Sequence, residues 1–315
     1  MEESTSASSY LPTVVSVVIR TMGMRSSQLQ RALESVANSS YRPLQVVLVY
    51  QGASSEVALS LAQVLSGYSQ FDALLIQNVT EKDDRSNNLN LGWSSATGRY
   101  VTFLDDDDTI APRHIELLVS SIGRSGSVWA YGQSRLIVEN EEGEISGCSF
   151  PFYRHRFSYT ELLIENFIPI HSFLIDRAAL DSSLTADPFY TRLRRSEDWD
   201  FLIRLAFFHP PSVIYKCICS YFVSKNGSNT NVSLVPGHLN IGKSAKPEDK
   251  FWIEDRAIVL ERARDLIKSR NSSRKYENAL TYSQSVPKLF RAIRRVKLLS
   301  FRFIYTLLYW VGLIK

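Results

Sequence analysis

Cysteine is scarce, with three in 315 residues (Cys148, Cys217 and Cys219). That is too few for a disulfide framework. Cys217 and Cys219 lie in the strand-like run SVIYKCICSYF and read as core residues rather than metal ligands. Long apolar runs are missing too. A membrane-spanning helix needs about 20 apolar residues, whereas the charge-free stretch of the C-terminal tail, residues 303–314, has 12. The N-terminus, MEESTSASSY, has neither the basic start nor the apolar stretch of a secretory leader. Residues 1–12 therefore read as a disordered lead-in to a cytoplasmic protein. No Gly-x-Gly-x-x-Gly follows the first strand, where the chain reads TMGMRSS. This argues against a nicotinamide dinucleotide site, and the absence of a Gly-rich basic loop there argues against a nucleotidyltransferase.

What is present suits a globular chain: 44% hydrophobic and 22% charged residues. The net charge of +4 is concentrated, because residues 286–315 hold seven Lys/Arg and no Asp/Glu. Basic residues confined to one segment, with no recognition module beside them, argue against nucleic acid as a partner. Mixed with Trp, Tyr, Phe and Leu, they suit an interfacial helix on an anionic membrane surface. The competing reading is a last helix docked on its own protein or on a second subunit.

Periodicity gives the order of elements. TVVSVVIR, LQVVLVY, DALLIQ and YVTFL read as strands. Between them, Leu29, Ala32, Leu33 and Val36, then Ala58, Leu61, Ala62 and Leu65, mark amphipathic helices. RSNNLNLGWSSATG reads as a third helix closed by Gly98, and Pro112 suits the first turn of a fourth. Such alternation predicts an α/β fold with a mostly parallel sheet. Ligands in such sheets bind beyond the carboxyl ends of the strands. The second half is more mixed. A hairpin turns at ENEEGE, SYTELLIENF is a short helix, HSFLID a short strand and SEDWDFLIRLAFF a clear helix. A Gly/Ser/Asn/Pro-rich stretch at residues 226–248 reads as a flexible loop, and a charged helix spans about residues 249–268.

Two acidic runs carry the chemistry. YVTFL runs directly into Asp105, Asp106, Asp107 and Asp108. Carboxylates crowded at the end of a buried strand suit a hard cation such as Mg2+ or Mn2+, which would stabilise charge on a diphosphate leaving group. The bland alternative is a solvated acidic loop, or complementation of the next helix dipole. In SEDWDFLIRL, Ser196 is a candidate N-cap with Glu197 and Asp198 in the first turn. Asp198 tops an apolar stripe and suits a general base; dipole complementation is again the alternative.

The succession VSVVIRT, RALESVANSSYRPLQVVLVYQG, RSNNLNLGWSSATGRYVTFLDDDD and SEDWDFLIRL resembles family 2 glycosyltransferases of the GT-A fold, over residues 14–225. The resemblance implies a GT-A domain over residues 13–225. Its donor-binding half would be residues 13–138 and its acceptor half residues 139–225, followed by a C-terminal helical region at residues 249–315. It implies an inverting transferase taking a nucleotide-diphospho-sugar, with uridine the first expectation, and acting on a glycan or lipid-linked acceptor. It also implies a divalent cation, Mn2+ or Mg2+, and a peripheral location on the inner face of the cell membrane. Asp105, Asp106 and Asp107 would hold donor and metal, with Asp107 and Asp105 as ligands. Asp198 would be the general base, with Glu197 beside it. Thr21, Arg85, Asn90 and Lys225 would line the donor site. His171 and Trp199 would lie toward the acceptor. Where the family carries acids that contact the nucleobase, this chain has Tyr50 and Gln51. Gln51 keeps hydrogen-bonding capacity, Tyr50 offers a stacking face, and the departure leaves open a degenerate protein that binds without turnover.

Overall fold

The computed structural model describes residues 10–140, 142–150, 152, 154–224, 247–269, 276–281 and 283. They fall into two compact units. The first takes the described residues within Met1–Arg135, Phe152–Phe157 and Ile168–Phe222, and the second those within Leu136–Pro151, Ser158–Phe167 and Val223–Lys315.

The first unit opens with the alternation that periodicity predicts: β1 (Leu11–Thr21), α1 (Ser26–Ala37), β2 (Leu44–Gln51), α2 (Ser55–Ser66), β3 (Asp72–Asn78), α3 (Arg85–Ser95) and β4 (Gly98–Asp105). These four strands are parallel, in the order β3-β2-β1-β4. β1 and β2 are central and buried on both faces, which is why they read as unbroken apolar runs. On one face, Leu29, Leu33 and Val36 of α1 pack with Val17, Ile19, Val46 and Leu48. An aromatic group of Trp93, Phe103, Phe173, Phe189 and Phe201 forms a second contact set, with Phe189 5.1 Å from both Phe103 and Phe201.

Beyond β4 the sheet stops being parallel. The chain continues through β5 (Thr109–Ile110), α4 (His114–Ser125) and β6 (Trp129–Glu139) to β7 (Ile145–Ser149), α5 (Tyr159–Ile164), β8 (Phe173–Asp176), α6 (Glu197–Phe208) and β9 (Ser212–Ser224). β8 pairs antiparallel with β4 and β6, and β5 antiparallel with β9. The expectation of a mostly parallel sheet therefore holds for β1–β4 alone, and the sheet is mixed.

Two local readings shift. Gly98 begins β4 rather than closing α3, which ends at Ser95. A Cβ at Gly98 would meet the Val14 carbonyl oxygen at 2.6 Å, so the glycine serves close strand approach. Pro112 precedes the helix, since α4 starts at His114. Of the three cysteines, Cys219 is buried, while Cys148 and Cys217 are exposed; the core reading fits Cys219 alone.

In the second unit, the outer end of β6 pairs with β7 as the predicted hairpin, Leu136 facing Ser149. α7 (Pro247–Ser269) corresponds to the predicted charged helix. It buries Val259, Leu260, Ala263 and Ile267, and Arg256 donates to the Ile164 carbonyl at 2.7 Å. The basic tail and most of the 226–248 stretch lie outside the described residues. Among the described residues no helix is long and apolar enough to cross a membrane.

Candidate active site

The parallel register sets Arg20 beside Asp105, Thr21 beside Tyr50 and Tyr50 beside Gln77. The strands thus end level, and their loops share one edge, where an α/β sheet presents its ligands. Both acidic runs reach this edge. Asp105–Asp108 follow β4, and Glu197–Asp198 open α6, held by Phe201 against Phe189 and Trp93.

The four aspartates are separated by their partners. Asp105 takes Arg20 Nε at 2.8 Å, and Asp106 takes the Thr21 hydroxyl at 2.6 Å. Asp107 takes Arg25 Nη1, and its backbone carbonyl takes Arg31 Nη2 at 3.0 Å. Asp108 points inward, accepts the Phe222 N–H at 2.9 Å and forms an ion pair with His171 at 2.8 Å. The protonation affinities diverge accordingly. Burial pushes Asp105 up, but Arg20 outweighs it and leaves the carboxyl below its ordinary value. Burial raises Asp106, and Thr21 and Arg25 only partly offset it. Burial, reinforced by Asp108 and Asp105, drives Asp107 up to about 8.

The second run divides likewise. Glu197 is buried and receives Arg20 Nη1, so one guanidinium spans the two acidic runs. Asp198 keeps part of its surface open and accepts the Trp199 N–H at 2.8 Å. Burial, then the Glu197 charge, drives it up to about 7. Ser196 occupies the N-cap position as expected but makes no side-chain cap; its backbone is left-handed, at φ 60°. It is the one non-glycine residue with positive φ among the described residues. Beside this pair, Asp83 takes Arg195 at 2.6 Å and Arg85 Nε at 3.2 Å. Burial and the neighbouring Arg20 and Arg195 lower the Arg85 pKa.

The structure brings Thr21, Arg85, Asp105, Asp106, Asp107, Glu197 and Asp198 together, with Thr21 and Glu197 buried, and engages other expected residues elsewhere. Gln51 is buried, donating to the Lys82 carbonyl at 2.6 Å and accepting from Asn88 at 2.7 Å, so both ends of its amide are engaged. Asn90 is buried and bonds the Phe189 backbone in both directions, at 2.8 and 3.0 Å, which makes it a clamp beneath the site. Tyr50 belongs to the core and presents no face for stacking. His171 is enclosed by Asp108, by Ser134 at 3.1 Å and by the stacked Tyr221 ring, and Trp199 is also buried. Neither is open to an acceptor. Lys225 lies outside the described residues. Sequence reasoning missed Arg25, Asp83 and Arg195; the signal available was charge clustered next to strand ends.

Among the described residues no three His, Cys, Asp or Glu side chains form a metal cage. Mg2+-type sites need none, because one or two carboxylates and substrate phosphates usually supply the shell.

A family model described as Glycosyl transferase family 2 matches residues 16–184, more than half of the chain. The chain belongs to glycosyl transferase family 2. Among curated relatives, the GalNAc(5)-diNAcBac-PP-undecaprenol beta-1,3-glucosyltransferase of Campylobacter jejuni is 25% identical over 132 residues, 42% of this chain and 40% of the relative. The chain spans 64% of one further curated relative and 13% of another. Among solved structures, the mannosyltransferase PcManGT from Pyrobaculum calidifontis, in complex with GDP-Man and Mn2+, aligns with a TM-score of 0.53 at 15% identity, over 88% of this chain and 87% of that one. S. aureus TarS 1-349 in complex with UDP-GlcNAc aligns with a TM-score of 0.52 at 15% identity, over 85% and 79%. The fold of this family 2 chain is accordingly GT-A.

Proposed function

We propose that this family 2 chain transfers a sugar from a nucleotide-diphospho-sugar to a hydroxyl of a glycan or lipid-linked acceptor, with inversion, in one displacement. The observation that carries the reading is Asp198, a carboxyl pushed up to about 7 at the head of α6, joined through Glu197 and Arg20 to the carboxylates after β4. A base with that affinity is ionised in half or more of the molecules near neutral pH and still accepts a proton readily. In the step, the acceptor oxygen attacks the anomeric carbon and its proton passes to Asp198. The bond from the anomeric carbon to the diphosphate oxygen breaks, and the nucleoside diphosphate leaves from the opposite face. Arg20 holds Glu197 so that Asp198 alone receives the proton. Thr21 and Arg85 line the donor side.

The donor set suits Mn2+ or Mg2+. Its ligands would be carboxylate oxygens crowded after β4, where burial and the like charges of Asp108 and Asp105 raise the proton affinity of Asp107 to about 8 even with Arg25 beside it. Asp107 would hold the cation. Asp105, already paired with Arg20, would contribute less than its place in the run suggests. When bound, a divalent cation there neutralises charge developing on the leaving diphosphate. Fold neighbours bound to GDP-Man with Mn2+ and to UDP-GlcNAc support the donor class, and the relative named for an undecaprenol-linked glycan supports a lipid-linked acceptor. The basic tail would then hold the protein on the anionic inner face of the membrane. Liposome flotation that survives removal of residues 286–315 would exclude the tail as the anchor.

The engaged amide of Gln51 favours a second reading, a GT-A protein that binds nucleotide or glycan without turnover. A thermal-shift panel of UDP, GDP, dTDP and CMP, each with and without Mn2+, tests donor binding, since a ligand of the folded state raises Tm. A shift with one nucleoside diphosphate only in the presence of metal supports the donor and metal assignment. No shift with any of them counts against it. Release of the matching nucleoside diphosphate from a sugar donor then separates an enzyme from a binder.

A further inference from the structure

We propose that Arg25 is a resident counter-cation of the carboxylate cluster: it occupies Asp107 in the metal-free protein and is displaced when a divalent cation binds. The proposal rests on the metal-assisted reading above and adds a residue to it.

The cationic partners of the aspartate run differ in how they are held. The His171 side chain is 1% exposed and Arg20 is 16% exposed, while Arg25 is 43% exposed. Arg20 extends from the end of a central strand and is fixed by two carboxylates. His171 is enclosed between Asp108, Ser134 and Tyr221. Arg25 comes from the short connection between β1 and α1, where it bonds Asp107 and lies 3.6 Å from Asp106. The side chains of that connection face outward, Met22 59% and Met24 84% exposed, while Gly23 between them, at φ +73°, lies against Val57 and Tyr50. Segments with few buried apolar contacts open at low cost. Arg25 is therefore the cationic partner best placed to move.

A guanidinium and a hard dication compete for the same carboxylate oxygens. Arg25 uses Asp107 Oδ2, so metal uptake at that oxygen must first break a charge-assisted hydrogen bond. The apparent metal affinity falls by the fraction of molecules in which Asp107 is free of Arg25. The ion pair also offsets the like charges crowded in the cluster. A diphosphate arriving with the cation gives the displaced guanidinium a new anionic partner, so metal and nucleotide uptake reinforce each other.

The test is Mn2+ binding to the full chain without nucleotide, read from the electron paramagnetic resonance signal of free Mn2+. Arg25→Gln is expected to bind Mn2+ about 10-fold more tightly than the unsubstituted protein, the effect of removing one partly exposed charge-assisted bond. Arg31→Gln controls for simple loss of positive charge, because Arg31 reaches Asp107 through the backbone carbonyl rather than the carboxylate. Its affinity is expected to change by less than about 2-fold. If Arg25→Gln fails to fold, Arg25→Lys replaces it; a single-point ammonium holds a carboxylate less firmly than a guanidinium fork, so tighter Mn2+ binding is again expected. Affinity unchanged or weakened in the Arg25 variants overturns the proposal, as does equal tightening in Arg31→Gln. If neither the unsubstituted protein nor the variants take up Mn2+, even with UDP or GDP present, the metal reading itself falls and the proposal with it.

Discussion

Two acidic runs meet at one edge of the sheet, and their neighbours give them opposite organisation. After β4, four successive carboxylates each have a separate partner: Arg20, Thr21, Arg25 and His171. At the head of α6, Glu197 takes the same Arg20 that pairs with Asp105. Asp198 accepts the Trp199 N–H, and burial and the like charge beside it raise its proton affinity. Proximity to other acids does not decide what an acid does; the distribution of nearby cations does. On the proposed function, the first run holds positive charge and the second accepts a proton. The variants below separate these two roles.

The largest effect is expected at Asp198. Asp198→Asn keeps shape and hydrogen bonding but cannot take the proton, so transfer should fall by about 100-fold or more, with nucleotide affinity retained. Near-normal turnover in a donor-consumption assay would dismiss the base assignment. Asp107→Asn should do the reverse. Metal-dependent nucleotide binding, measured by calorimetry, should weaken by at least about 10-fold, and binding without metal should change little. If both variants lost nucleotide binding equally, the division between the runs would collapse.

Acidity sharpens the contrast. With Asp198 near 7, the rate should fall about tenfold per pH unit below that value, because the base must be ionised to act. Stability should run the other way. Asp107 and Asp198 have folded-state values of about 8 and about 7, both above the ordinary 3.8. Between these limits the folded protein holds protons that the unfolded chain has released, so stability falls as pH rises from about 4 to about 8. Denaturant midpoints across that range, with and without Mn2+, test this, and Mn2+ should flatten the decline. A midpoint that rose with pH in the metal-free protein would contradict the raised affinities.

How much of this the sequence showed depended on range. β1, β2 and β4 were legible because strands buried on both faces must be apolar throughout, and the helix stripes between them because period 3.6 is local. The acidic runs stood out as compositional anomalies. Their partners did not, since Arg20 and Asp105 are separated by 85 residues and Arg20 and Glu197 by 177. Only the parallel register makes neighbours of Arg20 and Asp105. In the mixed second half the hairpin is legible at its acidic turn, but the pairing of short strands such as β8 is not, because they carry no direction in their pattern. Gln51 and Asn90 read as ligand contacts because buried polar side chains look alike in sequence, whether they face a ligand or clamp a backbone.

The smallest expected effect lies at the turn that opens the second run. Ser196 adopts φ 60° immediately before Glu197. A left-handed backbone costs a residue with a side chain about 1–2 kcal/mol, while glycine's greater freedom in the unfolded chain offsets about 0.5–1 kcal/mol of any gain. Ser196→Gly should therefore be neutral to stabilising by about 1 kcal/mol, seen as a small rise in Tm. Ser196→Ala removes the hydroxyl and keeps the steric cost. Because the serine side chain makes no cap, Ser196→Ala should change Tm very little. If Ser196→Gly stabilises while transfer drops, the strained turn serves to aim Glu197 at Arg20, and the difference between the two runs is built into the backbone as well as into the cations. If stability and transfer are both untouched, the Arg20–Glu197 contact alone sets the position of Asp198.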